Sequence, residues 1–282
     1  MSTVAVFGAG DVGAACAQAL ASRERARRIV LIDSSANAAI GKALDIQQAG
    51  AISGFATRLE ATADETRASG SAVMVVADRF GGASSEWQGE DGLGLVRRVA
   101  ASSDVPMVFA GAAQGELMRA ASQELRIATR RLIGSASEAF SSAVSAIVAL
   151  EARCSPAEVC VAVLGTPPAF VIPWGEASIG GYALDRVVSQ VQLRRIEARA
   201  ARLWPPGPYA LGAGAARVVE AVLDAARRSY NVLTVLDGEF GVRDRVAAVP
   251  ALLASHGVAR IRTPLLNTRE QVQLDTALRF DA

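Results

Sequence analysis

Histidine is almost missing from this chain: one residue in 282, His256, in the stretch "LASHG" between late apolar runs. A lone imidazole, remote from every other motif, leaves no ready side chain that titrates near neutral pH. His256 is expected to be an ordinary surface residue in a turn. Cysteine is scarce as well. Cys16, Cys154 and Cys160 are scattered without CxxC spacing, which implies neither a zinc site nor a disulfide framework. No metal centre is expected, and the thiols read as small buried groups in a reducing compartment. Lysine occurs once, at Lys42, and 29 basic residues stand against 28 acidic ones. That balance gives no electrostatic reason to expect a nucleic acid or an anionic membrane as partner. The arginine clusters "RERARR" (23–28) and "RRIEARAAR" (194–202) carry no interleaved aromatics, so they read as solvated helix faces. No apolar run approaches the length of a membrane span, and the N-terminus lacks a basic region followed by an apolar core. A soluble cytoplasmic protein is expected.

What is present is an alternation. "TVAVF", "RRIVLID", "SAVMVVA" and "VPMVFAG" are short β-branched runs, apolar nearly throughout. Between them lie "DVGAACAQALAS", "NAAIGKALDIQQA" and "GLGLVRRVAAS", which have helical periodicity. Continuous apolar strands separated by such helices predict parallel βαβ units covered on both faces, and hence an α/β doubly wound sheet. Near residue 134 the texture changes. Helices are predicted over 136–153, 184–203 and 212–229, with "WPPGP" as a breaker. "NVLTVLDGEFGV" reads as a hairpin, "VAAVPALLASHGVARI" continues it, and "NTREQVQLDTALRF" reads as a closing helix capped at Asn267 or Thr268 with Glu270 in its first turn. The expected division is a nucleotide-type domain over 1–134 and an α+β domain over 135–282.

"GAGDVG", residues 8–13, fits GxGxxG, follows a strand, opens a helix, and precedes Asp33 at the end of the second strand. This is the context a dinucleotide loop requires. Gly8 permits the tight turn, Gly10 lets a pyrophosphate approach the backbone, and Gly13 allows close helix–strand packing. The first helical residues, Asp11 and Val12 with Gly13, would offer free N–H groups and a positive dipole end. Asp33 would accept from both ribose hydroxyls, favouring NAD over NADP. A glycine-rich turn that binds nothing is the bland alternative.

Taken with "GKALDIQQA" (41–49), "LDGEFGVRD" (236–244), "VP" (249–250) and "LLNTREQV" (265–272), the sequence resembles the lactate/malate dehydrogenase family over nearly its whole length. The resemblance implies a Rossmann-type sheet followed by an α+β substrate domain, NAD as cofactor, and a homo-oligomer (dimer or tetramer) or an unknown hetero-partner. It also implies a catalytic His oriented by an Asp, an Arg that clamps a carboxylate, two further Arg near a mobile loop, and an Asn. At the matching positions this chain has Pro167 for the His, Phe140 for the Asp, Ala143 for the Arg and a residue near Ala113 for the Asn. A further hydroxyl position falls near Gly207. The loop "FGGASSEWQGEDG" has no Arg and instead carries Glu86, Glu90 and Asp91. Thr166 and Tyr209 offer only hydroxyls, whose pKa lies far from neutral.

Two readings follow. The chain is a non-catalytic family member that acts in binding or regulation, or it is an active NAD-dependent oxidoreductase on an uncharged, hydrophobic carbonyl held by Phe140, Pro167, Phe170 and Trp174. The turn "ADRF" after the fourth strand leaves three roles open for Asp78 and Arg79: reaching a pyrophosphate, repelling or blocking it, or facing solvent. The Ala-rich helices suit either an oligomer contact or core packing within one chain.

Overall fold

Short strands, most of them apolar on both faces, build the first half. The computed structural model describes residues 2–81 and 86–279. In it, β1 (Thr3–Phe7), β2 (Arg28–Ile32), β3 (Arg58–Thr62), β4 (Val73–Val76), β5 (Met107–Phe109) and β6 (Leu132–Gly134) run parallel in the order β3-β2-β1-β4-β5-β6. β4 and β5 are buried at every residue, so each needs cover on both faces. That cover comes from α1 (Asp11–Ser22), α2 (Ala36–Ser53), α3 (Gly89–Ser102), α4 (Gly115–Gln123) and elements of the second half. The doubly wound α/β sheet expected from the alternation is therefore present.

The second half begins with α5 (Ala136–Ala152) and the short strands β7 (Val159–Cys160), β8 (Leu164–Thr166), β9 (Ala169–Val171), β10 (Ser178–Ile179) and β11 (Tyr182–Ala183). It continues through α6 (Leu184–Val187), α7 (Gln190–Ala200) and α8 (Pro208–Leu223). The long strands β12 (Ser229–Asp237) and β13 (Arg243–Ala254), then β14 (Gly257–Ile261) and α9 (Thr268–Arg279), complete it. β12 and β13 pair antiparallel, and β12 joins β6 at Leu233 opposite Gly134, so one sheet runs on from the parallel strands into the antiparallel ones. β7, β10 and β11 form a separate small sheet.

Several bounds differ from the sequence reading. The helix expected over 184–203 is two helices. Ser189 interrupts it because its hydroxyl accepts from the Gln192 N–H while Gln192 Oε1 accepts from the Ser189 N–H, a capping box that starts α7 afresh. The helix expected from Gly212 to Ser229 starts earlier, at Pro208, where the missing N–H of proline costs nothing, and ends at Leu223. β7 and β8, three residues apart in the chain, belong to different sheets. The thiols also differ in kind, Cys16 being buried, Cys154 half-buried and Cys160 exposed. Burial pushes the Cys16 thiol up to about 12, with Glu220 adding to the shift and Arg23 opposing it.

Two contacts fix how α5 and α8 of the second half are packed. The first is steric. α8 crosses α1 so closely that a Cβ on Gly212 would stand 2.7 Å from the Cys16 backbone nitrogen, and one on Gly214 would press on Ala139 of α5. The small residues of α5 and α8 thus serve packing inside one chain. The second is polar. Glu138, 4% exposed, accepts from the Asn231 N–H at 2.8 Å and lies 3.0 Å from Arg217 Nε, off the hydrogen-bonding direction. Asn231 in turn accepts from the Val163 N–H and donates to the Val161 carbonyl, and Ser137 donates to the Asn231 carbonyl. Burial raises the Glu138 carboxyl above its ordinary range, against Arg217, the Asn231 N–H and Arg228, which lower it.

Three outcomes are expected. Gly212→Ala overpacks the α1–α8 crossing and lowers stability by about 1–3 kcal/mol in a urea melt; an unchanged midpoint would show that the helices part easily. A raised folded-state pKa for Glu138 means its stabilising contribution is complete below the ordinary value of 4.5 and is lost as pH rises through the folded value. The melting temperature of Glu138→Gln, relative to wild type, therefore climbs from pH 4.5 toward 8, whereas a flat difference would refute the shift. A thiol reagent followed by peptide mapping labels Cys160 in the native protein and Cys16 only in denaturant; native labelling of Cys16 would contradict its burial.

Candidate functional site

Strand order reverses at β1, between β2 and β4, and such a reversal opens a crevice at the carboxyl ends of the strands. Gly8, Asp33 and Asp78 follow those three ends and meet there. Gly8 has φ +113°, and its N–H donates to the Ile32 carbonyl at 2.7 Å. A Cβ on Gly8 would fall on the Asp78 backbone, and one on Gly13 would fall on the Gly8 carbonyl. The glycines are thus required by backbone packing alone. Asp11 lies outside this arrangement, exposed, with its carboxylate 3.6 Å from Lys42 Nζ.

Asp33 is buried and ties three segments. Its Oδ2 accepts from the N–H groups of Ala9 (2.8 Å) and Phe80 (3.0 Å), and its Oδ1 from that of Ser35 (2.9 Å). Asp78, 5% exposed, lies across the start of α1. Its Oδ1 accepts from the Gly13 N–H at 2.8 Å and its Oδ2 from the Val12 N–H at 3.2 Å, while its carbonyl accepts from the Gly10 N–H at 2.9 Å. A Cβ on Gly10 would fall on this same carboxylate. The space that a glycine leaves for a pyrophosphate is therefore taken by a side chain of the same charge, and the loop as folded does not fit that group. Arg79 points elsewhere: its guanidinium lies 4.8 Å over the Trp87 ring and 3.5 Å from Asp91.

A second turn, after β5, repeats the pattern. The Ala112 and Ala113 N–H groups donate to Glu86 Oε1 (3.0 Å) and Oε2 (2.9 Å), and a Cβ on Gly111 would fall on that carboxylate. The buried Gln114 braces the turn by accepting from the Gly111 N–H. Asp78 and Glu86 also form an antiparallel bridge. Nothing in the spacing of Glu86 pointed to this role; residues 82–85 of the same loop lie outside the described residues.

At the position matched to the orienting carboxylate the surroundings are apolar. Phe140 on α5 is buried and stacks on Phe170 with centroids 4.7 Å apart and planes 21° apart. Trp204 closes the cluster edge-on, 6.0 Å from Phe140 and 4.8 Å from Phe170. Ala143 follows one turn along, half-buried. Pro167 sits between β8 and β9, beside Thr166, whose hydroxyl donates to the Val246 carbonyl at 3.4 Å. Gly207 and Tyr209 are exposed at the start of α8. His256 is exposed in the β13–β14 turn, roughly 26 Å of strand beyond Val246.

Two cavities flank these residues. One, about 760 Å³, lies between α7, α9 and β9, with Phe140, Phe170, Trp174 and Trp204 in its wall. The other, about 620 Å³, is bordered by Ala113 and Pro167 and by three arginines that the sequence reading missed, Arg119, Arg243 and Arg245. They come from α4 and β13, not from the positions the resemblance implied. Glu116 and Asp244 share that cleft, and Arg119 is already held in a fork by Glu116 at 2.9 and 2.7 Å. Among the described residues no cluster of His, Cys, Asp and Glu is fit to hold a metal ion, and no helix is long and apolar enough to cross a membrane.

Residues 2–101 match the family model of the lactate/malate dehydrogenase NAD-binding domain. The whole chain is similar to malate dehydrogenases. It is 28% identical over 292 residues to that of Cytophaga hutchinsonii, covering 97% of this chain and 94% of the relative. To that of Desulforudis audaxviator it is 29% identical over 293 residues, covering 98% and 94%. The solved malate dehydrogenase of Salinibacter ruber matches with a TM-score of 0.85 at 25% identity, over 98% of this chain and 93% of that one. The sheet order, the glycine loop and the end-to-end similarity agree: residues 2–101 match the NAD-binding domain of the lactate/malate dehydrogenases, and the whole chain resembles malate dehydrogenases.

Proposed function

We propose that this family member has a degraded catalytic site and acts as a non-catalytic binding or regulatory protein, holding a dinucleotide weakly or not at all. The observation that carries the reading is the Phe140–Phe170–Trp204 cluster at the matched position of the orienting carboxylate. Moving a hydride to or from a 2-oxo acid requires a group that exchanges a proton with the substrate oxygen, and a planar cation for its carboxylate. Phe140, Pro167 and Ala143 provide neither. A general acid–base group is typically worth roughly 10²–10⁴ in rate, and groups that act as a unit fail together. On this reading residues 1–134 are the nucleotide-type half and 135–282 the substrate-type half of a cytoplasmic homo-oligomer.

One observation favours a second reading. The 760 Å³ cavity beside Phe140 remains open and has aromatic walls, which suits an uncharged, hydrophobic carbonyl reduced at the expense of NADH.

The test is NADH oxidation with oxaloacetate, pyruvate and a series of neutral, hydrophobic 2-oxo compounds. The expected turnover is at least about 10²-fold below the roughly 1–10³ s⁻¹ usual for enzymes, with every substrate. A rate inside that ordinary range with any of them sinks the non-catalytic reading, and a rate confined to the neutral compounds selects the second.

A further inference from the structure

We infer that Asp78 is a built-in anion: its carboxylate stands permanently where a dinucleotide pyrophosphate would lie, and it completes the nucleotide loop without a cofactor. This deepens the cofactor part of the proposed function and rests on it. The first α1 N–H groups have no partner within the helix, and the dipole there favours negative charge. Asp78 meets both needs from inside the chain through its bonds to Val12 and Gly13. The fit is steric as well as electrostatic, because the carboxylate fills the space opposite Gly10 while its backbone closes on Gly8. Like charges packed together in a buried crevice repel strongly, so a pyrophosphate and the Asp78 carboxylate exclude one another. Arg79, next in the chain, does not relieve this, because Trp87 and Asp91 engage it. Glu86 supplies a second internal carboxylate to the Ala112 and Ala113 N–H groups of the next turn, so the closure extends along the crevice.

Wild type, Asp78→Ala and Asp78→Ser are compared by calorimetric titration with NADH and by thermal shift with inorganic pyrophosphate. Wild type is expected to give no heat with NADH and no shift with pyrophosphate. Asp78→Ala is expected to melt several degrees lower, to recover part of that loss as pyrophosphate is added, and to bind NADH at least tenfold more tightly than wild type. Asp78→Ser removes the charge but keeps a small acceptor for an N–H, so it serves where the alanine variant does not fold. Wild type that binds NADH with a Kd below about 100 μM overturns the inference, whatever the variants do. So does a folded variant that gains neither NADH binding nor a pyrophosphate shift. Binding by wild type without turnover would remove this inference and leave the non-catalytic reading standing, because the titration reads binding and the substrate assay reads chemistry.

Discussion

Backbone N–H groups that face inward at the ends of elements must have an acceptor, and this constraint organises the crevice. A buried donor left unpaired costs about 1–3 kcal/mol, and the start of a helix gathers several such donors in one place. Here buried and half-buried carboxylates answer them. Asp33 takes three N–H groups from the β1, β2 and β4 loops, Asp78 takes two at α1, and Glu86 takes two after β5. Glu138 does the same for Asn231 inside the second half. These bonds tie the loops to one another from within the chain.

The reaction-centre positions follow the complementary logic. A catalytic carboxylate, imidazole and guanidinium are stable in a protein interior only as a mutually paired set, because removing one member leaves the others buried without partners. Replacing all of them with apolar groups avoids that cost. The stacked rings of Phe140 and Phe170 with the edge-on Trp204 are apolar and need no such partners. The arginines that do line a cleft nearby, on α4 and β13, are accompanied by Glu116 and Asp244 from the same elements, which offsets much of the field a carboxylate would feel.

How much of this was legible in the sequence depended on the range of the interactions involved. β1, α1 and β2 were legible because the pattern of apolar run, glycines and helix is local. So was the cap of α9, where Asn267 accepts from the Glu270 N–H and Glu270 from the Asn267 N–H. β3 was not, since "RLEAT" is an edge strand that alternates charge with small residues, and its pairing with β2 supplies what its composition lacks. β6, three residues long, exists because β5 and β12 lie on either side of it. The break before α7 was present in the letters as Ser189 and Gln192, but the helical periodicity around it masked the capping signal. At the site, the residue types at Phe140, Ala143 and Pro167 could be read by position. The destination of Asp78 could not, because Val12 and Gly13 lie some 65 residues away in sequence. Glu86 and the arginines of the second cleft are likewise set by tertiary approach.

The glycine fingerprint itself then needs a different explanation from the usual one. Of its three glycines, Gly8 and Gly13 are held by contacts with backbone atoms: Gly8 against the Asp78 main chain at φ +113°, Gly13 against the Gly8 carbonyl. A side chain at either would displace β1, β4 or α1 from one another whether or not a ligand was ever bound. Gly10 alone faces the ligand space, and there the neighbour is the Asp78 carboxylate. Two thirds of the motif is therefore maintained by packing, and the remaining position by an internal side chain that occupies the same room. A chain can lose its cofactor and still display GxGxxG intact, since the motif records how closely a strand, a turn and a helix approach. In this chain the second residue after β4, Asp78, places its carboxylate in the room that Gly10 leaves.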